Sequence, residues 1–339
     1  MAKKIFIGNY KGGVGKTTTV FEIGAGLAKR YNKKVLLIDL DPQCSLTDIC
    51  NRISGISSSN LMPEETINYA LELYGENING ASRLQILEDN IPDVYGYIKN
   101  IIKNIPHYGG LDFIPTSLEL KNSRINDIAD RFSANKNSII SIANFLHDIE
   151  QKNENKYDYI LVDCPPSSNI IIQGIFLYCD YYLIPTIGDE ISINGVADYI
   201  TEIESTYLKF AYNEYIGSIL LKKYFGEKPR LVGILETIYK NRTGATIISP
   251  GNTTREITNL DVLRRLDAAV SRVLTVDSQS VLSELPHYQY PNIKNIFNVL
   301  IRHLDNRSTP GNYGIPITVS GGEIHSEYDG ITNIINTIL

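Results

Sequence analysis

None of the four cysteines, Cys44, Cys50, Cys164 and Cys179, stands in C-x-x-C spacing, and four in 339 residues falls far below the density of a disulfide scaffold. Neither a sulfur-ligated metal nor an oxidising compartment is expected. No stretch approaches the roughly 18 consecutive apolar residues of a membrane span, and the opening residues after Met1 are too short in apolar character for a secretory signal. A cytoplasmic protein is expected. An excess of positive charge is missing as well: the formal net charge is −6, so contact with nucleic acid would have to come from a local patch. What the chain does carry is a hydrophobic content of 43%, enough to bury a core.

Residues Lys4 to Asn9 read as a short buried strand, followed by a glycine-rich turn and a helical pattern with Val20, Ile23, Gly24, Leu27, Ala28 and Tyr31 on one face. The unbroken apolar run Val35 to Ile38 suits a parallel strand covered on both sides. Further strand-like runs at Leu111 to Pro115, Tyr159 to Asp163, Tyr181 to Pro185 and Leu231 to Leu235 alternate with helical stretches such as Ser138 to Ile149 and Ile193 to Leu208. The alternation predicts an α/β fold: a mostly parallel sheet flanked by helices on both faces. With no internal repeat and no clear linker, residues 1–339 are read as one domain. The weakly periodic segments 55–109 and 303–328 are read as elaborations upon it.

The turn itself reads Lys11-Gly12-Gly13-Val14-Gly15-Lys16-Thr17-Thr18. Gly12, Gly13 and Gly15 allow backbone N–H groups to turn inward around phosphate oxygens, and a helix starting near Lys16 adds its positive dipole end. By position, Lys16 reaches the β and γ phosphates of a nucleotide, Thr17 offers its hydroxyl to Mg²⁺ and Thr18 contacts the α phosphate. The general pattern G-x-x-x-x-G-K-[ST] asks for glycine at position 10, where this chain has Tyr10. Lys11 is unusual too, because an ordinary phosphate loop needs no charge there. A bland reading, a glycine-rich turn with solvated lysines, does not account for strand, loop and helix standing in that order.

Residue for residue, Lys11 to Thr18 matches K-G-G-x-G-K-T-T, and here the sequence resembles the ParA/MinD family of deviant Walker A ATPases. Val35 to Gln43 looks like that family's Walker A′ segment and Tyr157 to Pro166 like its Walker B. Ile114-Pro115-Thr116, Asp180 to Pro185 and Leu282-Ser283-Glu284-Leu285-Pro286 extend the resemblance over most of the chain. It implies a P-loop NTPase fold of the deviant Walker type, with ATP and Mg²⁺ as cofactors. Lys11 would reach the partner's ATP across a sandwich homodimer, Asp41 would position the attacking water, Asp163 would support Mg²⁺ through a water, and Asp39 would lie one step further out. Lys11, Lys16 and Asp41 are thus the expected catalytic set. Read alone, Asp41 before Pro42 is equally a turn former.

Within the family, the chain looks nearest to ParA-type partition ATPases. The loop begins ten residues into the chain, so the expected member is one without an N-terminal helix-turn-helix. Such a protein is expected to meet a ParB-like or other adaptor that stimulates hydrolysis. Residues 222 to 272 hold ten Lys or Arg against five Asp or Glu, a local excess of +5. Lys222, Lys223, Lys240, Arg242, Arg255, Arg264, Arg265 and Arg272 could therefore form a non-specific DNA patch, which would bring the protein to the nucleoid. The departures Val276-Asp277-Ser278-Gln279 and Val281 leave the adenine contacts unassigned. A MinD-like membrane role is the alternative, since Ile331, Ile334, Ile335, Ile338 and Leu339 follow helical spacing. That tail lacks basic residues and is expected to be a helix closing the core, so a membrane partner is not expected. A non-hydrolysing switch is the other reading, and would require Asp41 or Lys11 to be inactive.

Overall fold

The computed structural model describes residues 1–79, 100–134, 138–152, 157–187, 190–210, 227–239, 297–302 and 328–339. Eight strands form one sheet: β1 (Lys3–Ile7), β2 (Val35–Asp39), β3 (Lys103–Asn104), β4 (Leu111–Ile114), β5 (Tyr159–Asp163), β6 (Tyr181–Thr186), β7 (Arg230–Tyr239) and β8 (Phe297–Arg302). Their spatial order is β3-β4-β2-β5-β1-β6-β7-β8, and every neighbouring pair is parallel except β3 with β4. The expected α/β architecture is the one found.

Side chains alternate across the sheet as the period of two requires. Phe6, Leu36, Ile38, Ile160, Val162, Tyr182 and Ile184 face one layer of helices. That layer consists of α3 (Ile67–Asn79), α4 (Ile125–Ser133), α5 (Ile139–Lys152), α6 (Ile170–Tyr178) and α7 (Glu190–Leu208). Ile5, Ile7, Val35, Leu37, Tyr159, Leu161 and Leu183 face the other, formed by α1 (Lys16–Tyr31), α2 (Ser45–Ser54) and α8 (Asp329–Ile338). Covered on both faces, the central strands β1, β2 and β5 bury nearly every residue. This is why their sequences read as continuous apolar runs rather than alternating ones.

In two segments the structure adds detail to the sequence pattern. In the stretch read as an elaboration at 55–109, α3 places Ile67, Ala70, Leu71 and Tyr74 in the main core. These four stand at i, i+3, i+4 and i+7, a helical stripe that the surrounding polar residues dilute. The isoleucines of the tail form α8, where Ile331 and Ile335 are buried against α1. Polar contacts hold the same face: Arg30 pairs with Asp329 at 2.5 Å, and the Tyr328 and Thr19 hydroxyls lie 3.2 Å apart. The tail closes the core, as its lack of basic residues suggests. Among the described residues, no helix is long and apolar enough to cross a membrane. The segment 303–327 lies outside the described residues.

Candidate functional site

Parallel pairing brings the carboxyl ends of four strands into line. The register sets Asp163 beside both Ile7 and Asp39, and Leu183 beside Ile7. Chain continuations are held to the neighbouring strand ends: Gly8 N–H donates to the Leu183 carbonyl at 3.2 Å, Leu40 N–H to Asp163 at 3.0 Å and Cys164 N–H to Ile7 at 3.1 Å. The loop between β1 and α1 therefore lies over the carboxyl ends of the sheet, with the aspartates of β2 and β5 alongside, where open α/β sheets take their ligands.

Within the loop, Gly13 (φ 72°) and Gly15 (φ 79°) adopt the left-handed conformation that only glycine takes readily. Open space surrounds the places where Gly12 and Gly13 would carry a Cβ. Gly15 caps α1 with no side-chain acceptor, so the first N–H groups of that helix are available to an anion. Several side chains hold the loop in shape. Asn9, fully buried, accepts the Lys11 N–H at 2.9 Å and donates to the Pro185 carbonyl at 2.8 Å. The Lys16 ammonium donates to the Lys11 carbonyl at 3.0 Å, closing the loop on itself. Lys11 extends its own ammonium to the Ser192 hydroxyl of α7, 2.7 Å away. Thr17 and Thr18 lie half-buried at the start of α1, while Val14 is buried.

Asp163 and Asp41 lie beside Lys16, and Asp39 lies next to both of them. Asp39 accepts the Asp41 N–H at 3.1 Å, and the Thr47 N–H and hydroxyl at 2.8 and 2.9 Å. Burial nevertheless pushes its pKa up to about 7, against the pull of the Thr47 bonds. Asp163 is fully buried, and neither of its oxygens has a well-formed hydrogen bond. Burial first and Asp39 second raise its pKa well above the carboxylate range, while the nearby Thr17 hydroxyl and Lys16 draw it down. Asp41 accepts the Gln43 N–H at 2.9 Å, so it does form the turn that its place before Pro42 suggests. Burial lowers the pKa of Lys16, and Asp163 and Asp41 oppose that shift. Three carboxyls to one close ammonium leave a surplus of acid inside the fold. Among the described residues no group of three or more His, Cys, Asp or Glu is arranged to hold a metal unaided. The arrangement instead suits a polyanion in the cradle accompanied by a cation at the carboxyls.

A buried carboxyl without a well-formed hydrogen bond is costly to the fold. Asp163→Asn is expected to stabilise the chain at pH 7 by about 1–3 kcal/mol, because a neutral amide folds without having to take up a proton or bury a charge. The sign follows from the raised pKa: below about pH 3, under the ordinary Asp value, Asp163 is protonated both folded and unfolded, and the two chains should differ little. As pH rises, only the unfolded carboxyl ionises, and the wild type loses stability that the Asn variant keeps. Thermal unfolding from about pH 3 to 7.5 measures this. A variant less stable than wild type at pH 7 would mean that the carboxylate holds the fold together.

The structure thus brings together Lys11, Gly12, Gly13, Val14, Gly15, Lys16, Thr17, Thr18, Asp39, Asp41 and Asp163. It adds Asn9, Thr47, Ser192 and Thr237, which no sequence pattern singled out. The Thr116 hydroxyl bonds the Asp39 carbonyl and its N–H donates to Thr47 at 2.9 Å. The basic residues Lys222, Lys223, Lys240, Arg242, Arg255, Arg264, Arg265 and Arg272, and the segments Val276 to Gln279 and Leu282 to Pro286, lie outside the described residues. Lys228, within that basic stretch, pairs with Glu204 at 3.0 Å.

Comparison with known proteins bears on the family and the fold. The AAA domain family model matches residues 2–216. A virulence plasmid ParA family protein of Chlamydia psittaci is 29% identical over 301 residues, which is 88% of this chain and 93% of the relative. Sporulation initiation inhibitor protein Soj of Bacillus subtilis is 27% identical over 248 residues, 73% of this chain and 77% of Soj. Among solved structures, apo McdA of Cyanothece aligns with a TM-score of 0.62 at 16% identity, covering 99% of this chain and 100% of that one. Cobyrinic acid a,c-diamide synthase of Mycobacterium smegmatis, with an ATP analog and magnesium, aligns at 0.52 and 20% identity, covering 78% and 83%. At such identities the structural likeness speaks for the fold.

Proposed function

Because this chain belongs to the ParA/MinD family of deviant Walker A ATPases, we propose that it is a Mg²⁺-dependent ATPase whose two copies close face to face around bound ATP. The observation that carries the reading is the open glycine cradle at Gly12 and Gly13, closed by the buried Lys16, with the buried carboxyl of Asp163 near that lysine and short of a well-formed hydrogen bond. The residues present fit a nucleotide and its metal: the loop amides and Lys16 for the phosphates, Thr18 for the α phosphate, Thr17 with Asp163 for Mg²⁺, and Asp39 behind them. Mg²⁺, when bound, neutralises phosphate charge. In phosphoryl transfer the protein chiefly positions groups and stabilises charge, and Asp41 is the carboxylate to orient the attacking water. No separate nucleophile is required.

Residues 1–339 act in this reading as one P-loop ATPase domain. The dimer would engage cargo by way of DNA or an adaptor protein, and the adaptor would trigger hydrolysis and release. A plasmid-borne relative supports DNA as the cargo class. Non-specific DNA would meet the basic segment 222–272, with Arg264, Arg265 and Arg272 at its end, placing a cytoplasmic protein on the nucleoid. A membrane reading gains nothing from the tail, since Ile331, Ile334 and Ile335 of α8 are spent in the core.

Lys11 decides the matter. Within the chain its ammonium donates to Ser192, and dimer closure would transfer that ammonium to the other copy's ATP. A unit charge at ~4 Å is worth about 4 kcal/mol at an effective dielectric of 20, before desolvation is subtracted. Lys11→Ala is therefore expected to bind ATP as a monomer, lose hydrolysis, and weaken ATP-dependent dimerisation at least about tenfold, which needs only a third of that energy. Light scattering in an Asp41→Ala background, with and without Lys11→Ala, reads the effect. Equal dimerisation in both would reduce Lys11 to a lysine that merely binds α7.

A further inference from the structure

Thr237 lies near the end of β7, more than 200 residues from the phosphate loop in sequence, yet its hydroxyl is 2.7 Å from the Val14 carbonyl and 3.0 Å from the Thr186 carbonyl. One hydroxyl hydrogen is thus shared between the loop and the end of β6. Thr237 is buried, and its Cβ and methyl group sit 3.7 Å from where a side chain at Gly15 would begin. Ordinary contact at that distance would tolerate a Cβ, so glycine at 15 answers to its φ of 79° and not to lack of room. The loop is consequently free to rotate at Gly15 unless something outside it fixes the peptide.

We propose that Thr237 is a positioning residue for the phosphate loop, holding the Val14–Gly15 peptide so that the Gly15 N–H points into the cradle. A trans peptide is planar, with its C=O and N–H directed oppositely. Anchoring the Val14 carbonyl on β7 therefore turns the Gly15 N–H away from β7 and toward the hollow beside Gly12 and Gly13. Without the anchor, the same peptide can flip about the flexible Gly15 and present its carbonyl to the phosphates, where it repels them. Preorganised N–H donors are what make such a loop an anion site, because their orientation is settled before the ligand arrives. The inference rests on the phosphate-binding reading of the loop and adds a strand-end threonine that no motif marks.

Thr237→Val keeps the shape and removes the hydroxyl. Calorimetric titration of the full chain with Mg-ATP is expected to show affinity weakened about tenfold, and steady-state kinetics a KM raised in proportion with kcat within about threefold. Thr237→Ser, which keeps the hydroxyl and loses the methyl, should restore affinity to within about threefold. Wild-type affinity in the Val variant overturns the proposal, as does a Ser variant as weak as the Val one, which would assign the effect to the methyl contact on Gly15. Should the Val variant not fold, Thr237→Ala replaces it, with the same comparison to Ser. Lys16→Ala, titrated in parallel, separates the two levels: undiminished ATP binding there removes the phosphate-loop reading, whereas loss there with full binding in Thr237→Val removes only the role of Thr237.

Discussion

Lys16→Ala is expected to abolish ATP binding, with no calorimetric signal for Mg-ATP at concentrations that saturate the wild type. The lysine is buried and lies inside the loop, and its ammonium donates to the Lys11 carbonyl. Burial lowers its pKa, which means that the protein holds this cation at a cost in solvation and that Asp163 and Asp41 offset part of it. Replacing it by a methyl group removes the cation nearest the phosphates and leaves those two carboxyls facing them. Both changes oppose a polyanion, and at low effective dielectric each is worth several kcal/mol, so a loss of about a thousandfold or more is expected. Unchanged affinity would dismiss the nucleotide site altogether.

Asp41→Ala should behave in the opposite manner, retaining ATP and losing turnover. Removing a positioned catalytic group typically slows a reaction by 10²-fold to 10⁴-fold, and a fall of about 10²-fold or more is expected in single-turnover hydrolysis. Asp41 has a structural task as well, since its carboxyl accepts the Gln43 N–H and its own N–H donates to Asp39. Asp41→Asn separates the two tasks, because the amide oxygen can keep the Gln43 bond while the charge is gone. Equal loss in both variants assigns the effect to the carboxylate. Recovery in the Asn variant assigns it to the turn, and wild-type turnover in both moves catalysis to another group.

How much of this could be read from the sequence depends on the distance over which each feature is written. The phosphate loop, Asp39, Asp41 and Asp163 sit in contiguous segments whose strand and loop follow directly, so local pattern reveals them. The α3 stripe Ile67, Ala70, Leu71, Tyr74 was present in the sequence at helical spacing, but Asn, Glu and Tyr neighbours lowered the contrast that periodicity needs. Asn9, Thr47, Ser192 and Thr237 were beyond reach for a different reason. Their importance lies in hydrogen bonds that span 176 residues from Asn9 to Pro185, 69 from Thr47 to Thr116, 181 from Lys11 to Ser192 and 223 from Thr237 to Val14. A threonine or asparagine at a strand end has many local uses, and only the three-dimensional pairing selects one.

The place of β1 in the sheet has a consequence for the protein's birth. Its neighbours are β5 and β6, so the strand that leads into the phosphate loop has no partner until residues 159–183 have been made. Thr237, which ties Val14 to the sheet, arrives later still. At ribosomal speeds of about 5–20 residues per second, the loop waits on the order of 10–40 s between its own synthesis and that of its last anchor. Until residues 159–183 are made, Ile5, Phe6 and Ile7 have no neighbouring strand to pair with. A nascent chain halted before Thr237 would carry the complete phosphate-loop sequence without the full set of contacts that shapes it.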